Sequence, residues 1–153
     1  MQTVTDIQAT LDKISHSLFE GSMNYCATFK LVRCENMARR ALDEIVSAAL
    51  ADRAVIDRAS TAQPVDVVES LKTALAYEGD SGSHPSPEYI ASDRFKHDAA
   101  SALAQLGQML ENADRIVSFS LKEGHPFYPV FWDFAFSVEK RGDAYVFIGS
   151  SSD

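Results

Sequence analysis

The chain has 153 residues, with 14 Lys or Arg against 22 Asp or Glu, so its formal net charge at pH 7 is −8. A chain of this length can bury a full core without disulfides or metals, and we predict a single α+β domain over residues 1–153. The acidic balance argues against a nucleic-acid partner, because the phosphate backbone attracts basic surfaces. It is compatible with a basic protein partner, since opposite fields speed association.

The sequence also predicts a cytoplasmic protein with no membrane segment. Its first residues lack the basic region and apolar run of a signal peptide, and no apolar run approaches the roughly 18–20 residues that span a bilayer. The two cysteines, Cys26 and Cys34, have the spacing of neither a redox motif nor a zinc site. On a helix they would lie about 12 Å apart, which is too far for a disulfide, so we expect two free thiols.

The first predicted helix is the clearest. Apolar residues recur at helical spacing from Val4 to Leu18, and Gly21 follows as a stop. Thr3 and Asp6 have the spacing of a capping box, in which each side chain accepts a hydrogen bond from the backbone of the other. We therefore expect this helix to begin directly after Thr3.

The stretch from Ser22 to Gln63 contains no Gly and no Pro. Its length and its lack of turn residues favour helix, with a break near Asp52–Ala54. A rival interpretation makes Tyr25–Arg33 a strand, because Tyr, Thr, Phe and Val all favour extended backbone. We predict helix for this stretch.

Two more helices are expected in the middle of the chain. Pro64 suits the first position of a helix, where its missing amide proton costs nothing, and Gly79 closes that helix. The residues from Gly79 to Pro87 form a loop by composition. The next helix begins at Ser86 or at Ser92.

The C-terminal part predicts a β-hairpin. Large apolar residues alternate with small or acidic ones over Trp132–Glu139, and Ala144–Ile148 is rich in β-branched and aromatic types. A two-residue turn at Arg141 and Gly142 would join them, because Gly supplies the positive φ that such turns require. Residues 116–122 alternate as well and would add a third strand, since a lone hairpin is only marginally stable.

This turn fixes which residues share a face of the hairpin. We predict that the first face is a core wall packed by helices, with a platform for flat ligands as the alternative. The first face carries Trp132, Phe134, Phe136, Val138, Tyr145 and Phe147. The predicted architecture is therefore a helical N-terminal two-thirds, of about four helices, packed on a small C-terminal antiparallel sheet of two or three strands.

The second face of the hairpin is mildly apolar and has acidic residues at its margins. Such a composition suits a docking surface, since charged rims speed encounter and an apolar centre supplies affinity. We predict a partner-binding site at Asp133, Ala135, Ser137, Glu139, Val146 and Ile148. This prediction requires that Val146 and Ile148 remain accessible to a partner.

Candidate catalytic and metal sites are weak. Asp93 and His97 lie four apart on a predicted helix, but a metal site normally needs three or four protein ligands. Asp80, Ser83 and His84 supply the residue types of a hydrolytic triad without the strand-to-helix turn that presents a nucleophile. We therefore predict no metal and no cofactor, and we favour a role that is not enzymatic over the alternative of an enzyme without a readable motif.

The function that the sequence favours is binding to a protein partner, in the manner of an inhibitor, an adaptor or an immunity-type protein. A homodimer is one form that such binding would take. The alternative is a small-molecule-binding domain with an aromatic pocket between the C-terminal sheet and the helices. That pocket would be lined by His125, Phe127, Tyr128 and Trp132.

Overall fold

The computed structural model describes residues 3–153. Met1 and Gln2 lie outside the described residues, and the prediction that the chain starts without a signal peptide includes them. The elements in chain order are α1 (Val4–Phe19), β1 (Cys26–Cys34), α2 (Leu42–Leu50), β2 (Val55–Thr61), α3 (Pro64–Leu75), α4 (Pro87–Ile90), α5 (Asp93–Leu110), β3 (Arg115–Glu123), β4 (Asp133–Lys140) and β5 (Asp143–Ser152). Within this described part, no helix combines the length and the apolar character needed to cross a membrane.

The five strands form one antiparallel sheet in the order β1-β5-β4-β3-β2. The pairing of β1 with β5 runs from Cys26 opposite Ser152 to Cys34 opposite Ala144. Helices α1, α3 and α5 build one core against the first face of the sheet. Helix α2 builds a second core against the opposite face.

The predicted architecture was wrong. The sheet has five strands rather than two or three, and the helices are interspersed with strands instead of filling the N-terminal two-thirds. The error lies between Ser22 and Gln63, where β1, α2 and β2 replace the expected helix. Here Asn36, Arg39 and Ala51 adopt positive φ values of 58°, 69° and 53°, so the chain turns without glycine or proline. The rival strand interpretation of Tyr25–Arg33 matches β1.

Several local predictions are confirmed. Thr3 and Asp6 form the expected capping box at α1. Pro64 opens α3. Both proposed starts of the later helix are used, because the Ser86 side chain caps α4 and the Ser92 side chain caps α5. The predicted third strand is β3.

The hairpin register is also confirmed. Glu139 lies opposite Ala144 and Phe136 lies opposite Phe147, across a turn in which Arg141 and Gly142 both have positive φ. The aromatic face is a core wall, since Phe136 and Phe147 are 3% and 0% exposed and pack beneath the helices. The centre of this face is therefore core, while Trp132 and Phe134 near its end are half-buried.

The cysteines lie at the two ends of β1. An extended strand rises about 3.3 Å per residue, so eight residues separate them by about 26 Å. Both are free thiols, and burial raises the pKa of the Cys34 thiol. The helical distance in our prediction was wrong, but the strand also holds the pair too far apart to bridge.

The two edges of the sheet differ. At the β1 edge, helix α1 packs along the strand, and its Gln8 side chain bonds two of the backbone groups that point outward. Its Nε2 donates to the Phe29 carbonyl at 2.9 Å, and its Oε1 accepts from the Leu31 amide at 2.7 Å. One side chain thus satisfies two outward groups in the middle of this edge.

Deleting the Phe136 ring should destabilise the fold. We expect Phe136→Ala to lower the free energy of unfolding by about 3–5 kcal/mol, the usual cost of removing a buried Phe. Phe19→Ala is the matched control, because Phe19 is 56% exposed, and it should change the value by less than about 0.5 kcal/mol. Urea unfolding followed by circular dichroism measures both, and equal losses would show that Phe136 is not packed as described.

Removing the Gln8 amide should weaken the β1 edge. We expect Gln8→Ala to cost about 1–2 kcal/mol, because two hydrogen bonds to the strand are lost. Gln108 lies exposed on α5, so Gln108→Ala serves as a control and should have an effect within about 0.5 kcal/mol. Amide hydrogen exchange of Leu31 should become faster in Gln8→Ala alone; an unchanged rate would contradict the edge contact.

Candidate functional site: an open strand edge and its groove

The predicted partner site does not form an accessible surface. Val146 and Ile148 are 1% and 0% exposed, in the core that also contains Ile45 and Val46 of α2. The prediction required both residues to be accessible, so it is wrong for this face. A partner cannot reach the centre of the second hairpin face, because the protein's own helix α2 covers it.

Three of the other four residues of that predicted site are buried as well. Ala135 and Ser137 are buried. Glu139 is buried too, where it accepts a hydrogen bond from the Arg39 amide and lies 3.6 Å from the Arg115 guanidinium. Of the six residues, Asp133 alone is exposed. Glu139 anchors the loop before α2, so it is not a steering charge.

The predicted aromatic pocket is not assembled either. Phe127 packs into the core on the α2 side, and its amide donates to His125 Nδ1 at 3.0 Å. Tyr128 is 80% exposed. Trp132 belongs to the opposite core, with the helices α1, α3 and α5. The four residues therefore do not enclose one space, although Trp132 does line a groove described below.

The outer edge of β2 is an open edge of the sheet. The Ala62 amide donates to the Ile116 carbonyl of β3 at 2.9 Å. Because hydrogen-bonding direction alternates along a strand, Ser60 also faces β3 while Ala59 and Thr61 face outward. Within residues 3–153 no hydrogen bond reaches the backbone groups of Ala59 or Thr61 from that outer side.

The open edge is short. Register shifts interrupt the pairing of β2 with β3 at Val55, Ile56 and Arg58. Such bulges twist a strand and limit regular pairing. The regular part of the edge is therefore confined to residues 58–61, whose side chains are all exposed.

A groove of about 540 Å³ lies beside this edge, between α3 and the sheet. We call it the α3 groove. Its floor includes Ser60 and Ser118, which lie opposite each other on β2 and β3. Its lining residues are Ser60, Thr61, Ala62, Asp66, Glu69, Ser70, Thr73, Ala74, Ser118, Trp132, Asp133, Phe134 and Phe136.

The charges of the α3 groove are acidic. Asp66, Glu69 and Asp133 line it, and none of the three forms an ion pair with a lysine or arginine of residues 3–153. The His125 ring lies 4.0 Å from the Asp133 carboxylate. A basic group entering this groove would thus meet carboxylates that are not already neutralised by lysine or arginine.

Aromatic rings form the wall of the groove opposite α3. Trp132 stacks on Phe134 with 6.1 Å between ring centroids and 6° between planes. The Trp132 indole donates from Nε1 to the Tyr25 hydroxyl at 3.0 Å. Burial raises the pKa of Tyr25 to about 12, so this phenol keeps its proton near neutral pH. The contact fixes the orientation of the indole.

Gly149 permits the position of Phe134. A Cβ at residue 149 would lie 2.5 Å from Phe134 Cζ and 3.0 Å from Phe29 Cδ1. The ring of Phe134 therefore crosses β5 where only a glycine leaves room. Since Phe134 supports Trp132, Gly149 helps to shape the aromatic wall.

The candidate metal ligands are not brought together. Asp93 and His97 are exposed on α5. Asp98 turns into the protein, where it accepts hydrogen bonds from the Tyr89 hydroxyl at 2.7 Å and from Lys13 Nζ at 3.1 Å. Within residues 3–153, no three His, Cys, Asp or Glu side chains converge on a position suited to a metal ion.

Burial opposes ionisation of Asp98, but these two hydrogen bonds outweigh it and hold the pKa of the carboxyl below its usual range. Asp98 thus joins α1, α4 and α5 as a charged group. It is a structural residue of the helical layer.

Comparisons with known proteins add little. No family model matches the chain, and no curated protein matches it. Among solved structures, a crystal structure of citrus MAF1 aligns with 94% of this chain and 98% of that chain, at 15% sequence identity and a TM-score of 0.37. So low a TM-score supports no conclusion about fold or function.

The α3 groove was missed because β2 was assigned to a helix. The signal that could have found it is the start of β2, where β-branched Val55 and Ile56 follow the break expected near Asp52–Ala54. The later residues of β2, up to Thr61, carry too few apolar side chains to show the alternation of a half-buried strand.

Filling the space at Gly149 should disturb the groove wall. We expect Gly149→Ala to destabilise the fold by about 1–3 kcal/mol, because the added methyl overpacks Phe134. Trp132 is the single tryptophan of the chain, so its fluorescence emission should shift as the stack moves. Gly107→Ala is the control, since a Cβ there meets nothing within 4 Å, and it should leave the emission unchanged. An unshifted emission in Gly149→Ala would contradict the coupling of Gly149 to the groove.

Proposed function

We propose that this protein binds another protein through the surface formed by the outer edge of β2 and the α3 groove. The observation that carries this proposal is the difference between the two sheet edges. Helix α1 packs along β1, and its Gln8 bonds two of the outward groups there, whereas the outward groups of Ala59 and Thr61 on β2 have no partner among residues 3–153.

An open strand edge favours a protein as the occupant. Its unpaired N–H and C=O groups match the backbone of another chain, and pairing of this kind is a recurring mode of peptide recognition. The acidic groove adds a preference, because it would attract a basic partner and speed its encounter. An inhibitor, an adaptor and an immunity-type protein would all act by such binding.

A small molecule in the α3 groove is the second candidate function. The volume of about 540 Å³ lies within the range of small-molecule sites, and such sites combine aromatic walls with a few polar groups. Here Trp132 and Phe134 would supply the aromatic surface, and Ser60 and Ser118 would supply hydroxyl groups. The open strand edge favours the protein partner over this alternative.

Charge reversal in the groove tests the proposal. Tagged wild type and Glu69→Lys with Asp133→Lys would be used for affinity capture from an extract of the native cells, with captured proteins quantified by mass spectrometry. We expect a specific partner to be captured about ten-fold less by the double variant, because its carboxylates would no longer face the partner's cations.

The control is Glu88→Lys with Glu111→Lys, which changes the net charge equally at two exposed positions outside the groove. It should capture the partner as wild type does. Thermal unfolding should show that both double variants are folded. If all three proteins capture the same set in equal amounts, the groove is not the binding surface.

A further inference from the structure

The backbone of β2 offers a defined pattern of unsatisfied groups. Ala59 and Thr61 each direct an N–H and a C=O away from β3, and no group within residues 3–153 bonds to them from that side. The side chains of residues 58–61 are exposed. A second backbone could therefore approach the edge without displacing any described part of the chain.

We propose that the partner contributes an extended segment that pairs with β2 as a sixth strand and places a basic side chain in the α3 groove. This inference rests on the proposed function and adds the form and chemistry of the partner. Backbone pairing would supply the orientation, and the groove would supply the preference for particular side chains.

The charges beside β2 indicate that the partner's side chain in the groove is basic. Beside residues 60–62, the groove carries Asp66 and Glu69 of α3 without lysine or arginine partners among residues 3–153. Ser60 and Ser118 are small, so a long side chain from an added strand has room to cross them.

The opposite end of the edge has the opposite charge. Arg58 lines a second recess with Ser118 and Ser120, and it disfavours a second cation beside it. The partner's lysine or arginine should therefore lie next to residues 60–62 and not next to Arg58. The two ends of the short edge thus select one placement of the segment.

A second copy of this chain fits the edge less well. Each copy carries a net charge of −8, so two copies repel each other as they approach. Like charges at an interface oppose association. A heterologous basic segment meets no such repulsion.

Selection from a random linear peptide library displayed on phage tests the inference with a defined probe. Peptides enriched on the wild-type protein should alternate in the manner of a strand and carry Lys or Arg. The best peptide would then be synthesised in two forms, with N-methyl groups on one or the other alternate set of amides. Because only one set faces β2, one form should lose at least ten-fold in affinity and the other should bind as the parent does.

Two protein variants complete the experiment. Ala59→Pro removes an outward N–H without removing a bond to β3, and it should weaken the peptide at least ten-fold while circular dichroism shows a folded protein. Glu69→Lys should weaken basic peptides by a similar factor. If Ala59→Pro does not fold, the two N-methylated peptides still decide the question on wild-type protein.

The outcomes separate this inference from the proposed function. Peptides that depend on Glu69 but tolerate either N-methylation pattern would overturn strand addition and leave groove binding intact. Peptides that ignore both Ala59→Pro and Glu69→Lys would overturn both proposals, as would a failure to enrich any peptide. A concentration-dependent dimer that Ala59→Pro abolishes would assign the edge to a second copy and overturn the heterologous partner.

Discussion

The pairing of β1 with β5 is the interaction on which the rest of the structure depends. It joins the first strand of the chain to the last, from Cys26 opposite Ser152 to Cys34 opposite Ala144. This pairing makes β5 an interior strand, so Val146 and Ile148 face the core under α2 while Phe147 faces the other helices. The sequence predicted a hairpin with one face accessible to a partner. In the structure this hairpin lies inside a sheet that has helices on both faces.

This constraint determines where function can reside. Once both faces of the hairpin are buried, its alternating side chains are unavailable to a partner, and the accessible features move to the margins of the sheet. At the β1 margin, helix α1 packs along the strand and Gln8 bonds the Phe29 carbonyl and the Leu31 amide. The margin at β2 is exposed and adjoins the α3 groove, where Asp66, Glu69 and Asp133 concentrate negative charge. Backbone pairing and electrostatic attraction would therefore act on the same surface.

Local chemistry made part of the fold predictable. Gly142 set the hairpin register, and Thr3 and Pro64 marked helix starts, because turns and caps depend on neighbouring residues alone. The strands β1 and β2 were not predictable in this way, since Asn36 and Arg39 turn the chain with φ values that glycine usually supplies. The burial of Val146 depends on β1 and α2, which are distant in sequence. Of the candidate site, Trp132 and Asp133 were predicted as binding residues, but in two different sites.

Amide hydrogen exchange of the isolated protein tests the central claim most directly, because it reports whether each edge amide has a bonding partner. The account predicts that the Leu31 amide, held by Gln8, exchanges slowly, as do the inward amides of Ser60 and Ala62. It predicts that Ala59 and Thr61 exchange nearly as fast as an unstructured chain. Protection of Ala59 and Thr61 equal to that of Leu31 would show that the β2 edge is already occupied, and would contradict the account.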